Sequence, residues 1–166
     1  ERKMQRGRAA SALSMSEQYQ IQAVFEKVKA ALGVKSSVEL WISAEASGPM
    51  LLGFLRPKVV LPDCMLAQEK LEMIFRHELL HHRRHDCWYR LLMLLTQSVH
   101  WFNPLVWLMA KRAAEDLESA CDRSVIKGQN REFVEEYAQA LLETAKCLLQ
   151  RKKVRQTVLV SYLSSG

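Results

Sequence analysis

The chain has 166 residues, 49% apolar and 25% charged, with a formal net charge of +6. That is enough for one domain with a hydrophobic core, and the balance excludes a disordered chain. The basic excess gathers in "ERKMQRGR" at the start and "QRKKVR" near the end. Such runs are either solvated ends or juxtamembrane segments on the cytoplasmic side of a bilayer; no nucleic-acid-binding motif accompanies them.

The first element is a helix through "EQYQIQAVFEKVKAALG", capped by Ser16 and closed by Gly33. Ile21, Val24, Phe25, Val28 and Leu32 share one of its faces. Three short strands follow, Val38 to Ile42, Met50 to Phe54 and Lys58 to Leu61. The last two form a hairpin that turns at "LRP". Beyond Pro62 the pattern is helical. Cys87 to Ala110 is apolar enough to raise a membrane span, but Arg90, His100 and Asn103-Pro104 interrupt it. A span needs about twenty apolar residues in a row. Asn103 as cap and Pro104 at the first position instead predict two helices, about 88–99 and 104–127, packed in a core, with a helix partly embedded in a membrane as the alternative that the apolar length leaves open. A last helix, about 131–149, buries Phe133, Tyr137, Leu141 and Leu148. Strands gathered before helices give an α+β architecture, with a small antiparallel sheet followed by a helical bundle.

The four cysteines, Cys64, Cys87, Cys121 and Cys147, are scattered, which suggests reduced thiols in a cytosolic compartment. The chain starts without Met and ends in "SSG", as an excised piece of a longer protein would. No signal peptide is visible.

The chemistry concentrates in "FRHELLHHRRHDCW", which holds four of the five histidines. His77-Glu78-Leu79-Leu80-His81 is an H-E-x-x-H motif. On a helix, positions i and i+4 share a face, so both imidazoles reach one zinc ion with Glu78 beside it. Glu78 is then the general base that takes a proton from the attacking water and passes it to the leaving amine. A third ligand is needed. The extended motif that ends in a third histidine does not fit, because Arg84 stands at its glycine and Cys87 at its last histidine. A glutamate from a following helix is the other solution. Glu115, Asp116, Glu118 and Asp122 are the candidates. Glu118 and Asp122 are i and i+4, as a ligand and a carboxylate that orients a ligand histidine would be, and Glu115 is the runner-up ligand. His82, His85 and His100 read as surface or outer groups, and Asp86 with Arg90 as an i, i+4 ion pair.

With these residues in place, the chain resembles the BlaR/MecR-type integral membrane metallopeptidases, the beta-lactam sensor-transducers and their relatives. The resemblance rests on "GFLRPKVVLP", "RHELLHHRRHD", "HWFNPLVWL" and "DLESACDRSV", over about residues 36–127. It implies a gluzincin-like fold and Zn2+ held by His77, His81 and Glu118, with Asp122 as the partner in E-x-x-x-D. It also implies that residues 1–166 are a single metallopeptidase domain on the cytoplasmic side of the cell membrane, attached through flanking segments absent here. In sensor members of the family, proteolysis inside the cell ends in loss of a transcriptional repressor.

The expected activity is therefore that of a zinc endopeptidase acting on a protein or peptide, itself or a repressor, in signal transduction. Substrate is expected along the edge strand, at Leu52, Gly53 and Phe54, as an added strand; Gly53 would permit close backbone approach. The oxyanion-stabilising group is open among Tyr137, His100 and Arg123. The rival reading is a non-catalytic, zinc-stabilised signalling module, against which Glu78 argues, since a closed structural site has no use for it. Finally, "TVLVSYL" is rich in β-branched and aromatic residues, so Lys152 to Ser164 is expected to be extended, as a self-cleavage region or a cover of the cleft.

Overall fold

A computed structural model describes residues 14–43, 46–62 and 68–164. Helix α1 (Met15–Ala31) is followed by strands β1 (Glu39–Ser43), β2 (Met50–Leu52) and β3 (Lys58–Pro62). Helices α2 (Gln68–Arg83), α3 (Asp86–Val99), α4 (Pro104–Ile126) and α5 (Arg131–Ser164) complete the order. The α+β architecture is the one expected.

Ser14, not Ser16, caps α1. Its hydroxyl accepts from the Glu17 amide at 3.3 Å, and the Glu17 carboxylate accepts from the Ser14 amide at 2.8 Å. Only Ser14 has a glutamate three positions on, so only it can close this reciprocal box.

The sheet is mixed rather than antiparallel. β2 and β3 form the expected antiparallel pair, Met50 opposite Val60, but β1 runs parallel to β3, Trp41 opposite Val60. The order is β1-β3-β2. β3 takes the centre because "VVL" is a continuous apolar run, suited to burial on both faces, and Val59, Val60 and Leu61 are all buried.

Helix α2 lies between two cores, which positions the motif. Leu71, Ile74, Phe75 and Leu79 meet Ile21, Phe25 and Val28 of α1 and the sheet residues Val59 and Leu61. Phe25 and Phe75 pack edge to face, with centroids 5.2 Å apart. Met73 and Leu80, on another face, meet Cys121 and Val125 of α4 and Tyr137 and Ala140 of α5. His77 and His81 stand between these faces on a helix that is clamped from both sides.

Asn103 caps α4 as expected, its Oδ1 accepting from the Leu105 amide at 3.0 Å with Pro104 next. Among the described residues no helix is long and apolar enough to cross a membrane. α5 corrects two expectations. It does not end near Leu149, and Lys152 to Ser164 is helical rather than extended. No glycine or proline interrupts Arg131 to Ser164, so nothing local stops the helix, and propensity for strand is the weaker influence. Cys147 is disulfide-bonded, against the expectation of reduced thiols throughout, whereas Cys87 and Cys121 are free.

Candidate metal centre

The i, i+4 spacing on α2 brings the two imidazoles together, with His77 Nε2 and His81 Nε2 3.0 Å apart. Glu118, from α4, reaches the same point. Its Oε2 lies 3.6 Å from His77 Nε2 and 3.5 Å from His81 Nε2. A tetrahedral ion with bonds of about 2.0–2.1 Å separates its ligand atoms by about 3.3–3.4 Å. The three atoms thus form a triangle of the size a zinc ion requires.

Each imidazole is held from behind. His81 Nδ1 is 2.7 Å from Oδ2 of Asp86, a buried carboxylate. His77 Nδ1 is 2.7 Å from the Tyr137 hydroxyl, which in turn donates to Asp122 Oδ1 at 2.7 Å. Asp122 Oδ1 itself is 3.3 Å from His77 Nδ1. A hydrogen bond at Nδ1 fixes the ring and leaves Nε2 free to bind a cation.

The electrostatics agree with a cation site. Burial disfavours charge on both imidazoles, yet hydrogen bonds to Cys121 and Glu118 outweigh it and push both towards protonation. Glu118 is held well below the usual carboxylate range by hydrogen bonds from His77 and His81. The Glu118 carboxylate thus draws positive charge to the two imidazoles, as it would draw a cation to the same point. Glu78 is 7% exposed, and burial raises its carboxyl above the usual value, a shift that suits a base working near neutral pH.

The donors open into a cleft of about 290 Å³. His77, Glu78, His81 and Glu118 line it, with Met50 and Leu51 of β2 along one wall and Tyr137 and Leu141 of α5 along another.

A model of the family described as BlaR1 peptidase M56 matches residues 3–163. The chain belongs to this peptidase family. It is 27% identical over 139 residues to the "Regulatory protein BlaR1" of Bacillus licheniformis, covering 82% of this chain and 23% of that protein. It is 28% identical over 132 residues to the "Methicillin resistance mecR1 protein" of Staphylococcus aureus and of Staphylococcus epidermidis, covering 78% of this chain and 22% of each relative. The chain thus spans under a quarter of the length of these curated relatives.

Several groups of this M56 chain were not legible in its sequence. Cys121 is fully buried, and its thiol lies within 4.8 Å of nitrogens of both histidines while donating to the His77 carbonyl at 3.5 Å. It is a second candidate donor, looser than Glu118, and its i+3 spacing from Glu118 was the available signal. Asp86 does not pair with Arg90. It turns back to His81 because His85 adopts a left-handed backbone, φ 60°, which reverses the chain between α2 and α3. Histidine is among the residues that tolerate this region. Arg90 instead pairs with Glu118 Oε1 and lines the cleft.

The other expected residues are placed less centrally. Tyr137 faces the Nδ1 side of His77, and neither His100 nor Arg123 lines the cleft. Glu115 pairs with Arg112 at 3.3 Å on the surface. His82 turns away to Ser36, 2.6 Å from its Oγ. Gly48 and Pro49, just before β2, and Met50 and Leu51 on that strand stand at the cleft. Leu52 and Phe54 are exposed beyond it, Phe54 against Trp88 at 5.6 Å. Gly53 has φ +90°, and a Cβ there would meet the Arg56 carbonyl at 2.7 Å. The turn itself therefore requires glycine.

The chain behind His77 gives an expected result. Tyr137→Phe and Asp122→Asn should each weaken metal binding by about 10–100-fold, read by competition with a chelating dye. Tyr137→Phe is the milder, because Asp122 remains 3.3 Å from His77 Nδ1. Wild-type affinity in Asp122→Asn would remove Asp122 from the site.

Proposed function

We propose that this chain is the zinc endopeptidase domain of a membrane-bound regulatory protease. In this reading His77, His81 and Glu118 hold the ion, and its substrate is a protein: the protease itself or a transcriptional repressor. The observation that supports it most is the 3.0–3.6 Å triangle of His77, His81 and Glu118 with the buried carboxyl of Glu78 in the same cleft.

Zinc, when bound, would polarise a scissile carbonyl and a water. The remaining work falls to side chains of the chain. Glu78 takes the proton of the attacking water and delivers it to the departing amine, so the same carboxyl serves both half-reactions. Asp86 and the Tyr137–Asp122 pair keep the two imidazoles oriented and basic. An extended peptide adds to β2, an edge strand in the order β1-β3-β2, along the stretch that walls the cleft. The domain is assigned to the cytoplasmic side of the cell membrane, in keeping with its resemblance and its basic segments.

Cys121 supports a second reading. Two histidines, Glu118 and a thiolate would close four donors around zinc, as structural sites do, and the module would then signal without cutting. Chelation separates the two. For an endopeptidase, removing metal from the purified chain stops cleavage of an unstructured peptide, and returning zinc restores it. A chain that holds zinc, unfolds on chelation and cuts no peptide in either state would replace the enzyme by the structural module.

A further inference from the structure

Helices α3 and α4 form a hairpin turned inside out. Trp88, Leu92, Leu95 and Val99, at i, i+4, i+7 and i+11, make an apolar stripe that faces away from the protein, each exposed, from 49% at Trp88 to 68% at Val99. The face towards α4 carries Arg90, Met93 and Gln97, which with Trp107 and Lys111 line a small cavity between the helices. At the tip Trp101 is 71% and Phe102 69% exposed, and Leu105, Leu108 and Met109 continue the surface down α4. Most of the exposed large apolar side chains among the described residues belong to this hairpin. A patch of that kind marks an interaction surface.

We propose that the tip of the α3–α4 hairpin is embedded in one leaflet of a lipid bilayer. This inference does not depend on the peptidase reading. Three observations favour lipid over a protein partner. First, four polar side chains of the hairpin, those of Thr96, Ser98, Asn103 and Trp107, are satisfied within it. Thr96 and Ser98 hydroxyls donate to the carbonyls of Leu92 and Leu94 at 2.9 and 2.8 Å. Trp107 Nε1 donates to the Trp101 carbonyl at 3.0 Å, and Asn103 Oδ1 is taken by the α4 cap. Hydrocarbon offers polar groups no partners, so they must be satisfied internally. Second, no Asp, Glu, Lys or Arg occurs from Leu91 to Ala110. The one titratable side chain there is His100, and a neutral imidazole costs far less to bury than an ion. Third, the charges resume on both arms with cations, Arg90 on α3 and Lys111 on α4, side by side in the same cavity. Arg90 is held by Glu118, which leaves Lys111 as the long basic side chain that reaches anionic headgroups while its stem stays in the apolar layer.

The dimensions select one leaflet. Leu91 to Val99 rises about 13 Å as a helix, close to half of the roughly 30 Å hydrocarbon core. The hairpin is therefore too short to span and long enough to fill a single leaflet. Arg90 lines both this cavity and the catalytic cleft, so the cleft would open beside the headgroups.

The test uses the 166-residue chain and vesicles of phosphatidylethanolamine with phosphatidylglycerol, some carrying bromine on the acyl chains. The chain should float with the vesicles, and acyl-chain bromine should quench its tryptophan fluorescence. Trp101→Phe should remove the most deeply quenched component while leaving flotation intact. The paired change Trp101→Asp and Phe102→Asp should lower partitioning by about tenfold or more, with helical circular dichroism unchanged because both side chains are exposed. Three results would overturn the proposal. These are a chain left at the bottom of the gradient; flotation with no quenching by acyl bromine, which is surface adsorption; and sedimentation without lipid as a dimer that the aspartates convert to monomer, which assigns the patch to a second copy.

Discussion

Glu78→Gln should lower peptide cleavage by about 10²–10⁴-fold, the contribution typical of a positioned general base, with bound metal undiminished. The amide keeps the size and burial of the side chain but cannot accept the proton of the attacking water. It is not one of the three atoms of the donor triangle, so coordination has no reason to change. A second readout distinguishes this from damage to the fold. Burial raises the folded-state pKa of Glu78 above its ordinary 4.5, so the folded metal-free protein binds this proton more tightly than the unfolded chain. Ionisation in the buried site thus costs stability, and the cost grows as pH rises from about 4.5 through the raised value. The metal-free Gln variant should therefore melt higher than wild type at neutral pH. The difference should vanish below about pH 4.5, where the carboxyl is protonated in both states. Retained cleavage in this variant would remove Glu78 from the mechanism.

Glu118→Ala should weaken metal binding by more than about 100-fold, because loss of an outer partner alone costs about 10–100-fold. The carboxylate supplies the only formal negative charge within 3.6 Å of both Nε2 atoms among the described residues. Without it only the two imidazoles of the triangle remain on the cleft wall. Glu115→Ala should bind metal like wild type, since Glu115 pairs with Arg112 instead. Cys121→Ser decides between the two readings of the site. Unchanged affinity leaves Glu118 as third ligand, whereas loss of metal in Cys121→Ser with retention in Glu118→Ala would transfer that role to the thiol. Protons compete for the same nitrogens, and Glu118 favours protonation of both rings. Metal uptake should therefore release protons, and affinity should rise with pH.

The sequence by itself determined the features governed by short-range periodicity. H-E-x-x-H needs one helical turn to put two imidazoles on one point, and α2 provides it. The break at Asn103-Pro104 needs one cap and one fixed φ. The succession of helix, strands and helices needs only a change of apolar period from two to near four. Glu118, Asp122 and the H-E-x-x-H residues could be named because each lies on a strongly periodic helix.

Tertiary structure alone decided what depends on residues distant in the chain or on a single backbone angle. β1 joined β3 in parallel because the central position rewards the "VVL" run, not because of anything in β1. Asp86 went to His81 rather than Arg90 because one left-handed residue, His85, folds the start of α3 back beneath α2. Tyr137 came to lie between His77 and Asp122 only when α5 packed against α2 and α4. The outward stripe of α3 reads in sequence as a face packed in a core or, alternatively, laid in a membrane, since periodicity reports that a helix has an apolar side and not what covers it. Only the packing of Arg90, Met93 and Gln97 against α4 turns that side outward, because a helix can bury just one face against a single neighbour.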